Sequence, residues 1–325
     1  MTNVSRAIAL LFFAAMIGPA LLAAEGTNIT LQALPEYVER VLVPVVPGAE
    51  NTLAIETLPA ESVIEAPTGF DVQTRDGRIV VTSSTGANAG YAKIRTATRD
   101  LTLTLVELVP YDAMQNGKLD GYRVGEYQAV PLKGLEQYER PKGFIRLGTT
   151  NADLLVSDHY RMRDFQCKLD GDTKYLVLRT DALVKLEILQ HELQTSHGLD
   201  FDRFTVMSGY RTPYYNARIG NETSYSRHLY GDAMDIYIDM DRNGSMDDVN
   251  RDGRIDTADA RFILRVAERI DESPEWSWLK GGAGVYHANA AHGPYIHIDA
   301  RGYVARWGAV ADTASRGSSR AVSAR

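Results

Sequence analysis

A chain of 325 residues with 44% hydrophobic and 24% charged residues has the make-up of an ordinary globular protein, long enough for two domains. Its net charge of −7 and the lack of a basic stripe argue against nucleic acid as a partner. The single cysteine, Cys167, excludes an internal disulfide.

Residues 1–24 stand apart. Arg6 precedes an apolar run from Ala7 to Ala24, interrupted by Gly18-Pro19 and closing on Ala23-Ala24. The pattern reads as a secretory signal peptide cut near Ala24-Glu25, which implies a periplasmic or secreted protein. A retained anchor is the competing reading, because the run approaches the length that spans a bilayer. No later stretch is apolar enough to do so.

Residues 25–115 read as β structure. Leu53-Ala-Ile55, Arg78–Thr82 and Leu101–Val106 alternate or are β-branched, with turns at Pro47-Gly48, Pro67-Thr-Gly69 and Asp76-Gly77. Short strands at this spacing predict a small all-β, sandwich-like domain of structural, spacer or targeting role. Residues 116–145 carry Gly117, Gly121, Gly125, Pro131, Gly134 and Pro141, which predicts a connecting arm with little helix.

Residues 146–308 predict an α+β domain. Phe165 and Cys167 alternate in a strand-like segment, so Cys167 reads as a small buried residue rather than a catalytic thiol. Thr180 or Asp181 can cap a helix whose Leu183, Leu186, Leu189 and Leu193 share a face. Phe204–Met207 reads as a strand ending at a Ser208-Gly209 turn. Ala233–Ile238 and Tyr295–Asp299 read as further strands, and Ala258–Ile270 as a second amphipathic helix. Residues 309–325 are Ser, Ala and Arg with few apolar anchors and read as a disordered tail.

The chemistry lies in two segments of this second domain. Ser226-Arg-His-Leu-Tyr-Gly-Asp-Ala-Met-Asp235 offers His228 and Asp235, and Tyr295-Ile-His-Ile-Asp299 offers His297. Two imidazoles and a carboxylate from separate segments can hold one divalent metal and leave a position open for water. On a strand, residues two apart share a face, so His297 points with Asp299 and Asp235 with Tyr237. His-x-Asp with a distant His is also the ligand set of non-haem iron oxygenases, but there the His-x-Asp element normally comes first and here it comes last.

Around these residues the chain resembles peptidase family M15, the zinc D-Ala-D-Ala carboxypeptidase and endopeptidase superfamily. The nearest likeness is to its bacterial peptidoglycan D,D-endopeptidases. The resemblance rests on Ser208-Gly-Tyr-Arg-Thr-Pro-Tyr-Tyr-Asn216, the Ser226–Asp235 run, and Gly284-Val-Tyr with His297-Ile-Asp-Ala-Arg-Gly302. Val156–Lys168 resembles the lead-in of that branch. The likeness covers roughly residues 140–308.

It implies zinc held by His228, Asp235 and His297, and a substrate in peptidoglycan stem peptides or cross-links. Carboxypeptidase and endopeptidase action both stay open. By motif, Arg211 steadies a developing oxyanion or a substrate carboxylate, and Ser226 hydrogen-bonds substrate or caps a turn. One departure matters. Many relatives carry an acidic general base three residues before the last histidine, where this chain has Pro294. His292 and Asp299 are then the candidate bases, although Asp299 can instead orient His297. A wall-binding module that keeps the metal fold but lacks an efficient base is the second reading.

Residues 239–259 form an acidic insertion with seven aspartates against Arg242, Arg251 and Arg254. Asp248, Asn250, Asp252, the Arg254 carbonyl, Asp256 and Asp259 fit a twelve-residue calcium loop with Gly253 at its turn, similar to one dockerin-type repeat. Asp239, Asp241, Asn243 and Asp247 form a partial loop that can share ligands or take a second calcium.

Overall fold

The computed structural model describes residues 25–55, 63–97, 99–221 and 223–308. The signal peptide expected at 1–24 and the tail expected at 309–325 lie outside the described residues. None of the described helices is long and apolar enough to cross a membrane.

Eight strands come first: β1 (Asn28–Leu31), β2 (Arg40–Val45), β3 (Asn51–Ile55), β4 (Val63–Glu65), β5 (Phe70–Arg75), β6 (Arg78–Ser83), β7 (Ala89–Arg95) and β8 (Asp100–Pro110). One sheet has the order β1-β3-β6-β5. β8 organises the other. Its Leu101, Leu103 and Leu105 are buried, and it pairs antiparallel with β7 and parallel with β2. The β content follows the alternation in the sequence. The parallel pairings β1–β3 and β2–β8 need chain crossovers that alternation does not specify.

Residues 116–145 hold a short hairpin of β9 (Lys118–Leu119) and β10 (Tyr122–Arg123), two 3₁₀ turns, and the first part of β11 (Gly143–Leu147). They contain no α-helix, yet they are not a free arm. Tyr122, Val124, Tyr127 and Tyr138 are buried in the common core. β11 pairs with β8, and β12 (Lys174–Leu176) pairs with β11, so the β8 sheet continues past the boundaries drawn at 115 and 145. Side chains also cross between the two regions: Thr180 Oγ1 donates to the Leu42 carbonyl and Thr104 Oγ1 to that of Leu155.

The remaining elements are α1 (Thr180–Thr195), β13 (Thr205–Ser208), α2 (Pro213–Arg218), β14 (Ala233–Tyr237), α3 (Thr257–Glu272), β15 (Gly282–Tyr286), β16 (Tyr295–Asp299) and β17 (Ala305–Gly308). They form a sheet of order β13-β14-β16-β15-β17 with α3 packed on β15 and β16, and α1 on α3. This is an α+β arrangement beside β-rich structure.

Two local expectations change. The residue before α1 is Arg179, with no side-chain cap, because the Thr180 hydroxyl is taken by Leu42. Phe165 ends a 3₁₀ turn, Met162–Phe165, so Phe165 and Cys167 are buried without lying in a strand.

One ion pair binds these layers. Lys185 on α1 is 1% exposed, and its Nζ donates to Asp271 Oδ1 at 2.7 Å and to the carbonyls of Leu279 and Asp299. Arg306 holds the other Asp271 oxygen at 2.8 Å. Removing one partner of a buried pair strands the other charge. Lys185→Met is expected to lower unfolding free energy by about 3 kcal/mol, at the low end for such losses because Arg306 remains. Denaturant titration checks this; a loss below about 1 kcal/mol would show that the pair contributes little.

Candidate metal centre

The Ser226–Asp235 run folds as a 3₁₀ turn, Arg227–Tyr230, that reverses at Gly231 and enters β14. Gly231 has φ +73°, and a Cβ there would meet the Val177 carbonyl oxygen at 2.3 Å, so only glycine fits this return. Arg227 and Asp232, both fully buried, close the turn as an ion pair. His228 is thereby aimed over the sheet, while Asp235 lies directly opposite His297 in the antiparallel β14–β16 ladder.

Three ligand atoms converge. His228 Nε2 is 3.3 Å and His297 Nδ1 3.0 Å from Asp235 Oδ1. Tetrahedral bonds of about 2.0–2.1 Å would place neighbouring ligand atoms about 3.3 Å apart, so the set suits a zinc-sized ion. The outer ring nitrogens are oriented too. His228 Nδ1 faces the Gly209 carbonyl at 2.7 Å, and His297 Nε2 faces Asp299 Oδ2 at 3.2 Å. Such partners select the tautomer that leaves the inner nitrogen free to ligate. His228, Asp235 and His297 therefore form a group able to hold a metal ion.

The electrostatics agree. Burial pushes the His228 imidazole below its ordinary pKa, against the pull of Asp235. Burial acts on His297 as well, but its bonds to Asp235 and Asp299 outweigh it and hold that ring above its ordinary value. Burial would raise Asp235; the facing imidazoles overcome it and keep the carboxyl well below the usual range. Arg211 donates Nε to Ser208 Oγ at 2.9 Å and pairs through Nη2 with Asp235 Oδ2. It thus braces a ligand carboxylate at the mouth of the site.

Asp299 stands behind His297. Its Oδ1 accepts from the Gly282 and Arg301 amides, and its Oδ2 faces His297 and the Arg301 guanidinium. It is 1% exposed and faces the ring nitrogen of His297 opposite the one that meets Asp235, an arrangement suited to orienting the ring.

His292 lies elsewhere, half-buried on the wall of a cavity of about 420 Å³ that Asp235, Arg211, Tyr295 and Lys168 also line. Its Nε2 meets Asn289 Nδ2 at 2.8 Å and its Nδ1 the Gly293 carbonyl at 2.8 Å. Ser226 is buried at the start of the 3₁₀ turn, makes no side-chain cap bond, and does not line this cavity.

Several partners escaped the sequence reading. Gly282 and Gly284 on β15 leave room that side chains would fill. A Cβ on Gly282 would meet Asp299 Oδ2 at 2.4 Å, and one on Gly284 would meet Trp307 Nε1 at 2.5 Å. Trp307 packs on His297 with ring centroids 5.0 Å apart and donates to Tyr286 Oη at 2.7 Å. The Gly-x-Gly spacing was the available signal, but its meaning depends on which strands lie beside β15.

Residues 159–260 match the family model Peptidase M15. That stretch is similar to the M15 peptidases. The matched stretch contains His228 and Asp235; His297 lies beyond its end and joins them through the β14–β16 pairing. No curated protein matches the chain.

The acidic insertion beside the M15 site consists of two loops of the same build, nine residues apart. Asp239 Oδ1 and Oδ2 accept from the amides of Asn243 and Gly244, just as those of Asp248 accept from Asp252 and Gly253. Gly244 and Gly253 both have left-handed φ, +86° and +83°. The loops differ in closure. Asp239, Asp241 and Asp247 gather their carboxylates into one group. In the second loop, Asp256 caps α3 and the buried Asp259 accepts from the Val249, Asn250 and Asp256 amides. The stronger gathering is thus in the loop that looked partial in sequence.

If Asp299 orients His297, Asp299→Asn should weaken zinc affinity by about 10–100-fold. His228→Ala should remove a ligand and abolish stoichiometric binding. Competition with a chromophoric chelator measures both; unchanged affinity in Asp299→Asn would contradict the orienting role.

Proposed function

We propose that this M15 domain is a zinc-dependent peptidase acting on peptide bonds in peptidoglycan stem peptides or cross-links, in the periplasm or outside the cell. The observation that carries the reading is the convergence of His228 Nε2 and His297 Nδ1 on Asp235 Oδ1, at 3.3 and 3.0 Å, beside a cavity large enough for a short peptide. The family is zinc-dependent, which favours zinc over the iron of the oxygenase reading. The substrate class rests on the resemblance, and the compartment on the apolar leader at 1–24.

Zinc in this site would polarise a peptide carbonyl and lower the pKa of a water toward about 7. The chain's own residues do the rest. Arg211 holds Asp235 in place and presents positive charge where the carbonyl oxygen gains negative charge. His292 is the base we assign: Nε2 takes the proton once the Asn289 amide moves aside. Trp307, Tyr286 and Tyr295 wall the site and restrict water. Among the described residues Asp235 is the only carboxylate lining the cavity, and Pro294 holds the place of the family's acidic base. That pair of facts favours the second reading, a wall-binding module with the metal fold and no turnover.

Calcium is the second ion we propose, taken by Asp239, Asp241, Asn243 and Asp247 and by the following loop of Asp248, Asn250, Asp252, Arg254, Asp256 and Asp259. Like charges packed this densely repel one another without a cation. Braced loops would stiffen the end of β14, which carries Asp235.

Purified sacculi separate the two functional readings. The unmodified protein is expected to release muropeptides of altered mass, a chelator to stop it, and added zinc to restore it. His292→Gln should cut turnover by about 10²–10⁴-fold with zinc retained. Binding to sacculi with no release would establish the wall-binding module instead.

Calcium should raise the melting temperature, since an ion that binds only the folded chain stabilises it. Asp239→Ala with Asp241→Ala, and Asp248→Ala with Asp252→Ala, should each remove part of that rise and leave zinc content unaltered. A full response in both double variants would place the calcium ligands elsewhere.

A further inference from the structure

We propose that Lys168 is a specificity residue that selects peptides carrying a carboxylate next to the bond presented to the metal centre. The proposal deepens the peptidase reading by naming the chemical class of its substrate. It begins with a contrast of charge. The chain is acidic, and the insertion that lines the cavity through Gly244, Ser245 and Met246 is its most acidic segment. Yet none of the insertion's aspartates lines the cavity. The charged side chains that do are Lys168, Arg211 and Asp235.

Those three are not equivalent. Asp235 faces the two imidazoles and pairs with Arg211. Arg211 commits two nitrogens to Ser208 and Asp235. Lys168 makes no ion pair with any described residue and is exposed. With a divalent ion in the site, the charged side chains lining the wall among the described residues sum with it to about +3, and the Lys168 ammonium is the one of them without an ion-pair partner. A concave, partly apolar wall with a net charge of one sign concentrates ligands of the opposite sign.

The backbone explains why this lysine is held there. The Phe165 carbonyl accepts from the Tyr210 amide at 2.9 Å, so the 165–168 segment lies along the Ser208–Arg211 turn. Gly209 permits the contact; a Cβ there would meet Phe165 Cα at 2.7 Å. Cys167 and Leu169 on either side are buried, which turns Lys168 outward onto the wall of the cavity that Arg211 also lines. An ammonium on a flexible stem binds a carboxylate as a point charge and tolerates several approach angles.

A carboxylate in that position has two sources. It is the C-terminus of a peptide trimmed from its end, or a side-chain carboxylate of a peptide cut internally. Calorimetry with four short N-acetylated peptides distinguishes them: a C-terminal acid and its amide, and a side-chain acid and its carboxamide within C-terminally amidated peptides. Both zinc-loaded and chelator-treated protein are titrated at low salt, so binding is read without turnover.

The unmodified protein should prefer an acid over its neutral partner. Lys168→Met should reduce that preference by about 3–5-fold, Lys168→Glu should reduce it further, and Lys168→Arg should retain it. Preference confined to the C-terminal acid points to carboxypeptidase action, and to the side-chain acid, endopeptidase action. Equal binding of acid and amide by the unmodified protein, or an undiminished preference in Lys168→Met, would overturn the proposal. Acid-selective binding that depends on Lys168, together with intact sacculi, would refute the peptidase reading alone.

Discussion

Buried charge must be paired, and this constraint organises the second half of the molecule. Asp232, Asp235, Asp271 and Asp299 are each 3% exposed or less, and none is left alone. Asp232 pairs with Arg227, Asp235 with Arg211 and the imidazoles, Asp271 with Lys185 and Arg306, and Asp299 with Arg301 and His297. An unpaired carboxylate in such surroundings would be driven to its neutral form. The pairs therefore do more than stabilise. They keep Asp235 ionised and hold Asp299 against the far side of His297, the state a cation site needs.

The pairs also join distant parts of the chain. Arg227 donates to the Gln137 carbonyl as well as to Asp232, and Gln137 Nε2 donates to the Arg301 carbonyl. Tyr127 Oη donates to the Leu229 carbonyl, next to His228, and meets Tyr210 Oη at 2.9 Å. Residues that looked like a connecting arm thus support the turn that carries a ligand. Arg227 lies over the rings of Tyr138 and Tyr230, 4.2 and 4.8 Å from their centroids, so a cation–π cage holds the same guanidinium that pairs with Asp232. The β-rich region and the α+β region share one apolar core, and the site is supported from both.

Much of the fold was legible in the chain. The runs Leu53–Ile55, Arg78–Thr82 and Leu101–Val106 lie in strands because period-two alternation reports one buried face. The two long helices and the Tyr295–Asp299 strand were legible for the same kind of reason. The 3₁₀ turn at Met162–Phe165 was not, since one short turn has no period to detect. Nor was the continuation of the β8 sheet into β11 and β12, because pairing between strands far apart in sequence leaves no local mark.

The sequence by itself determined the donor set. The residue types His228, Asp235 and His297, in motifs resembling M15, offer the donor atoms of a metal site, and the β14 and β16 alternation decides which side chains share a face. Only the tertiary structure decided the roles around them. Asp299 faces the outer ring nitrogen of His297 because Gly282 leaves space for it there. His292 was set on the wall of the cavity, and Lys168 was brought to the same wall by a backbone contact with the Ser208–Arg211 turn. A residue's type is local, but what it faces depends on strand order and on how loops close over the sheet, and those depend on contacts between residues distant in the chain.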